Sequence, residues 1–190
     1  MVTASERAKY ENAAKSEGFK GFKFVERTKS KKMISANLRE DYFPVYFVEP
    51  YKKNEGAFGF DLGSSEARRV VLEAARDSGQ VATSESITLV QNGRAGVLLF
   101  APIYKPDSKT QTVELRRQNI AGFALGVVEI QNMITAAYSA RSNLLTPGGI
   151  DFYVYDDDKI VGDPFIYAHQ SRKRSGVPAP KLSKREAQIG

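Results

Sequence analysis

With 190 residues, 42% of them hydrophobic, the chain carries enough apolar matter for one large domain or two small ones around a packed core. The absence of cysteine excludes disulfides, a thiolate nucleophile and sulfur-bound zinc. The net charge of +6 gathers at the ends: residues 1–40 hold ten basic against five acidic side chains, residues 171–190 six against one, and residues 41–170 twelve against sixteen, which argues against a nucleic-acid-binding face.

From Ser5 to about Ser16 the residues favour helix, with Ala4, Ala8 and Ala13 on a weakly apolar face and Gly18 as the stop. So small a face predicts a helix that leans on a partner beyond its own core. Phe19, Phe22, Phe24 and Val25 form an aromatic cluster consistent with a core-facing turn or strand, and Ser30 to Arg39 reads as a basic, exposed helix. Asp41 to Glu49 has strand composition, demoted to an edge or a strand start by Pro44.

A clearer helix follows, capped by Ser64 or Ser65, with Glu66 in its first turn and Gly79 at its end. Strands are predicted over Ser86–Val90, Ala95–Tyr104 and Ile120–Ile130, the first two joined by a hairpin turn at Gln91-Asn92-Gly93-Arg94. The apolar runs of the last two suggest central strands covered on both faces, and polar Pro106–Arg117 reads as the loop between them. Gln131–Ser142 is helical, Ile150–Tyr155 and Lys159–Val161 suggest a hairpin around Asp156-Asp157-Asp158, and the Pro-, Lys- and Ser-rich residues from Ser171 onward are expected to be poorly ordered. This order predicts an α+β fold, an antiparallel sheet with flanking helices. No run approaches the ~18 apolar residues that span a bilayer.

Catalytic constellations are missing. His169 is the single histidine, so paired-histidine metal chemistry is excluded, and no phosphate loop, dinucleotide fingerprint or nucleophile elbow is present. The Asp156–Asp158 run lacks the spacing and glycine of a calcium loop and reads as a solvated turn. No metal or cofactor is implied. A carboxylate-only hydrolase stays as the enzymatic alternative, without a locatable base.

Three stretches, in this order and spacing, resemble the CHASE family, the extracellular sensors of receptor histidine kinases and nucleotide or diguanylate cyclases. They are Tyr42-Phe43-Pro44-Val45-Tyr46-Phe47-Val48-Glu49-Pro50, then Gly59-Phe60-Asp61-Leu62 leading into Arg69 and the helix to Gly79, then Gly96 to Lys105, with Ile120 to Gly126 extending the likeness. The resemblance implies an N-terminal stalk helix (residues 1–18), a membrane-distal PAS-like ligand-binding half (19–130), part of a membrane-proximal PAS-like half (131–170) and a basic tail (171–190). It also implies a periplasmic position between transmembrane helices of a parent receptor, a small-molecule ligand, and homodimerisation of the parent through the first helix.

In the branch of the family that binds adenine-type plant hormones, an acidic side chain on the helix after the Asp-containing strand end holds the adenine. The matching position here is Arg68, a small polar wall position matches Phe100, and Leu62, Thr83, Leu89 and Phe123 match other lining positions. A copy of the hormone pocket is therefore not expected. On the helix from Ser65 to Ser78 the apolar face centres near Ala67, Val71 and Ala74, with Arg68 at its margin and Arg69 and Arg76 turned away. An arginine so placed can lay its stem over a pocket and offer its donors to an anionic ligand, or stay solvated and paired at the surface. Bulky Phe100 leaves a second function class open, a structural ectodomain whose core is filled and which binds nothing.

Overall fold

The structure is a computed structural model that describes residues 1–89, 94–139, 152–155 and 165–169. They form an α+β arrangement of short antiparallel pairings and four α-helices: β1 (Val2–Thr3), α1 (Arg7–Ser16), β2 (Val25–Arg27), β3 (Met33–Ser35), β4 (Asp41–Tyr42), α2 (Glu66–Ser78), β5 (Ala82–Thr83), β6 (Ile87–Thr88), β7 (Ala95–Tyr104), α3 (Val113–Asn119), β8 (Ile120–Glu129), α4 (Ile130–Ser139), β9 (Phe152–Tyr155) and β10 (Phe165–His169). Two compact units divide them. The first comprises Met1–Ser84 and Leu98–Gly126; the second comprises Glu85–Leu89, Arg94–Val97 and the described residues from Val127 onward. Among the described residues no helix is long and apolar enough to cross a membrane.

In the first unit, Val2, Ala14, Phe22, Phe24, Ala36 and Tyr42 form a core, edged by Tyr10, Tyr46 and Phe58. Phe22 meets Phe24, Tyr46 and Phe58 with ring centroids 6.0, 5.5 and 4.6 Å apart, the tilted and edge-on contacts that aromatic quadrupoles favour. Helix α1 packs on this core through Arg7, Tyr10, Glu11 and Ala14, while Ala4, Ala8 and Ala13 face outward. Charge explains the difference from the predicted alanine face. The Arg7 guanidinium lies 5.1 Å from the Tyr42 ring centroid and 5.7 Å from that of Phe24, donates to the Ala36 carbonyl at 2.8 Å, and pairs at 2.9 Å with Glu11, which also accepts the Phe24 N–H.

Several segments depart from their local pattern. Residues 30–39 form no helix: β2 and β3 pair as an antiparallel hairpin, Val25 against Ser35 and Arg27 against Met33. The Thr28 hydroxyl accepts the Lys32 N–H and Lys31 takes a left-handed φ of 66°, so turn geometry overrides the helical propensity of the lysines. The strand expected to Glu49 keeps a ladder only at Asp41–Tyr42; Pro44 lacks an N–H, and beyond it Val45 exchanges hydrogen bonds with Phe60 and Gly59 outside any ladder. Polar 106–117 contains the start of α3, because Thr112 caps Leu115 N and Glu114 sits in the first turn. Strand β7 alternates partly and fully buried residues from Ala95 to Phe100 and exposes Ile103, while β8 exposes Ala121, Ala124, Gly126 and Val127, so β8 is not covered on both faces. Strand β9 pairs with β10, His169 against Phe152 and Phe165 against Tyr155. The expected turns at 91–93 and 156–158, the strand at 159–161 and the tail from 171 lie outside the described residues.

One carboxylate ties the segments before α2 together. Asp61 is fully buried; its Oδ1 accepts the Phe43 N–H at 2.7 Å and the Gly63 N–H at 3.1 Å, and its Oδ2 takes Arg39 Nη1 at 2.5 Å. Arg39 also pairs with Glu26, whose other oxygen accepts from the Asn37 side chain. Gly63 is required at its position, where a Cβ would come within 2.6 Å of the Phe43 ring. Asp61→Asn removes the charge from a buried, charge-assisted acceptor while Arg39 keeps Glu26, so it is expected to cost about 1.5–3 kcal/mol in urea denaturation.

A second cluster holds α3 against the end of α2. Arg76 and Arg117 both donate to the Asp77 carboxylate, Arg116 donates to the Asp77 and Thr110 carbonyls, and the Tyr104 hydroxyl donates to the Arg76 carbonyl at 2.6 Å. The hydrogen bonds from Arg117 hold the Asp77 pKa far below its ordinary 3.8, with Arg76 adding to them. A lowered folded-state pKa means that the contribution is complete above 3.8 and is lost as pH falls below it. Asp77→Asn should therefore lower the melting temperature at neutral pH and flatten its decline between pH 4 and 2, as followed by circular dichroism.

Candidate ligand-binding site

Helix α2 begins after Ser65, carries Glu66 in its first turn and Arg76 in its last, and ends on Gly79, whose left-handed φ of 73° lets its N–H reach the Ala75 carbonyl. Its enclosed residues are Leu72 and Ala75, with Arg68, Val71 and Arg76 partly buried, while Ala67 and Ala74 are exposed and Val70 is 56% exposed. The predicted face near Ala67, Val71 and Ala74 is thus displaced. Arg68, Leu72, Ala75 and Gly79 recur at four- and three-residue spacing on the inner face, so Arg68 belongs to that face rather than to its margin. The reason is that arginine stems pack as hydrocarbon, and counting alanines as the apolar stripe misjudges which side buries more.

Arg69 and Arg76, expected to point away, are anchored beside the same face. Arg69 reaches Asp41 at 2.7 Å and lies 5.4 Å from the Phe43 ring centroid, and Arg76 meets Asp77 at 2.7 Å. Arg68 differs from both. Its guanidinium sits 5.4 Å from the centroid of Phe60, its Nε is sealed from solvent, and it has no hydrogen-bond acceptor among the described residues. Burial, with the like charge of Arg27 behind it, lowers its pKa from the ordinary arginine value, yet a guanidinium stays protonated in proteins. The result is a cation held on an aromatic ring with its buried Nε–H unpaired among the described residues.

The other residues matched to the family pocket lie as follows. Leu62 is half-buried in the short turn that Asp61 caps, and Thr83 is exposed on β5 opposite Leu99. Phe100, on β7 opposite Ala82, is wholly enclosed, and Phe123 is half-buried with its ring 5.8 Å from Phe43. These four and Arg68 belong to the first unit. Leu89 belongs to the second, where its side chain lies against Gly96. Phe60 beneath Arg68 and Arg27 beside it were not singled out as lining residues in the sequence; the buried Asp61 within an apolar Gly-Phe-Asp-Leu run was the signal that this turn is built around polar chemistry.

A profile of the CHASE domain matches residues 1–167. Hybrid signal transduction histidine kinase A of Dictyostelium discoideum is 30% identical over 146 residues, 73% of this chain. The chain spans 7% of the length of that kinase.

An unsatisfied buried donor costs about 1–3 kcal/mol, so replacing Arg68 by an apolar side chain of similar length removes a penalty. Arg68→Met is expected to raise the unfolding free energy of the ligand-free chain by about 1 kcal/mol in urea titration, whereas Arg69→Met, which strands Asp41, should lower it by a similar amount.

Proposed function

We propose a sensory role for this chain on the premise that follows from its match over residues 1–167: it belongs to the CHASE family, the sensory domains of signalling receptors. On this reading it is the extracytoplasmic, periplasmic part of a transmembrane histidine kinase or diguanylate cyclase, it binds a small molecule in a PAS-like first unit, and its part in signalling is binding rather than catalysis. The observation that carries the ligand reading is Arg68, whose buried Nε–H on the inner face of α2 has no acceptor among the described residues, at the position matching the ligand-holding residue of the hormone-binding branch. Functional sites are where proteins keep such unfavourable groups. Self-association of the parent receptor would use the outward side of α1, since its inward side is occupied by Arg7, Glu11 and Ala14 in contact with their own core.

A second reading, a structural ectodomain without a ligand, is favoured by Phe100, which the chain itself encloses completely. Thermal-shift and calorimetric screening of the chain against neutral, cationic and anionic metabolite-sized compounds separates the two. The sensory reading expects at least one saturable stabiliser, worth about 2.7 kcal/mol at a hundredfold excess over Kd. A screen in which nothing binds, with a parent receptor that still signals, would establish the structural one.

A further inference from the structure

Building on the sensory reading, we infer that the ligand carries an oxyanion, a carboxylate or a phosphate, and that this group accepts the Nε proton of Arg68 while the guanidinium rests on Phe60. The comparison with other arginines of the chain carries this. Arg7, Arg39, Arg69, Arg76 and Arg117 each have a carboxylate partner, and Arg116 donates to two backbone carbonyls. Three of them are also set on aromatic rings as Arg68 is, Arg7 on Phe24 and Tyr42, Arg39 on Tyr42 and Arg69 on Phe43, and all three still have their acid. The ring is therefore a seat for the cation, not a substitute for its counter-ion.

The surroundings of Arg68 reinforce the need. Its nearby charge is Arg27, a second cation, and Arg27 opens a stretch through Ala36 with Lys29, Lys31 and Lys32 and no acidic residue. The acid that precedes this stretch, Glu26, is spent on Arg39 and Asn37. In the ligand-free chain Nε is out of reach of water and meets no acceptor among the described residues, so an oxyanion that satisfies it binds as the Arg68 side chain turns that edge toward the ligand. A guanidinium edge with a free Nε matches two oxygens of one planar or tetrahedral oxyanion, and charge-assisted bonds of this kind are about twice as strong as neutral ones. A neutral adenine would leave the positive charge uncompensated.

The test uses the full chain, with 15N NMR of the arginine Nε–Hε signals and thermal denaturation in parallel. Inorganic phosphate represents phosphates, acetate represents carboxylates, adenine is the neutral comparison, and sodium chloride matches ionic strength. The expected result is a saturable shift of the Arg68 Nε–Hε signal and a raised melting temperature with phosphate or acetate, the responding arm naming the class. Arg68→Gln should weaken that binding at least about tenfold, and Lys20→Gln, an exposed control, should leave it unchanged. No saturable shift of Arg68 with either anion, or equal anion affinity in Arg68→Gln, overturns the inference. Tight binding of adenine that survives Arg68→Gln overturns it too, while leaving the sensory reading in place; the sensory reading falls instead when the broad screen finds no ligand of any charge.

Discussion

The fold of the first unit hangs on one fully buried carboxylate. Asp61 spends one oxygen on two backbone N–H groups, those of Phe43 and Gly63, and the other on Arg39. The Phe43 bond holds the extended segment after β4, the Gly63 bond caps the turn that launches α2, and Arg39 brings in Glu26 and with it the β2–β3 hairpin. A buried charge is tolerated only when every acceptor site is answered, so three segments distant in sequence are locked to one geometry. The orientation of α2, and hence the position of Arg68, follows from that lock.

Around it the chain repeats one device, arginine laid on an aromatic ring. With no tryptophan or cysteine, it draws cohesion from eleven phenylalanines and nine tyrosines, and their faces receive Arg7, Arg39, Arg68 and Arg69. Stacking desolvates one side of the guanidinium, which strengthens whatever ion pair its edge then makes. Arg39 and Arg69 collect that benefit within the chain, from Asp61, Glu26 and Asp41. Arg68 has the same preparation and no acid among the described residues. Such a group lowers the stability of the free protein and supplies binding energy when a partner arrives, a division expected of a sensor whose ligand must shift a conformational balance.

What the sequence determined by itself was whatever depends on neighbours a few residues apart. Gly79 ends α2, the ten-residue run Ala95–Tyr104 is a strand to the residue, and the spacing of three short stretches places the chain in its family. Arg68 also stood out in the sequence, through a charge opposite to that of the matching hormone-branch position. Tertiary structure decided the rest, because partners far apart in the chain outweighed local preference. Lysines that favour helix became a hairpin turned at Thr28 and held by Phe24 and Glu26; α3, started by the Thr112 cap, is held in place by Asp77 through Arg117; and the inner face of α2 was set by where Leu72 and Arg68 could bury carbon rather than by where alanines recur. That Phe60 lies beneath Arg68, and that no acid among the described residues meets it, followed only from the way Asp61 folds the turn between them: pairing of charge is a property of three-dimensional proximity, which residue spacing along the chain does not encode.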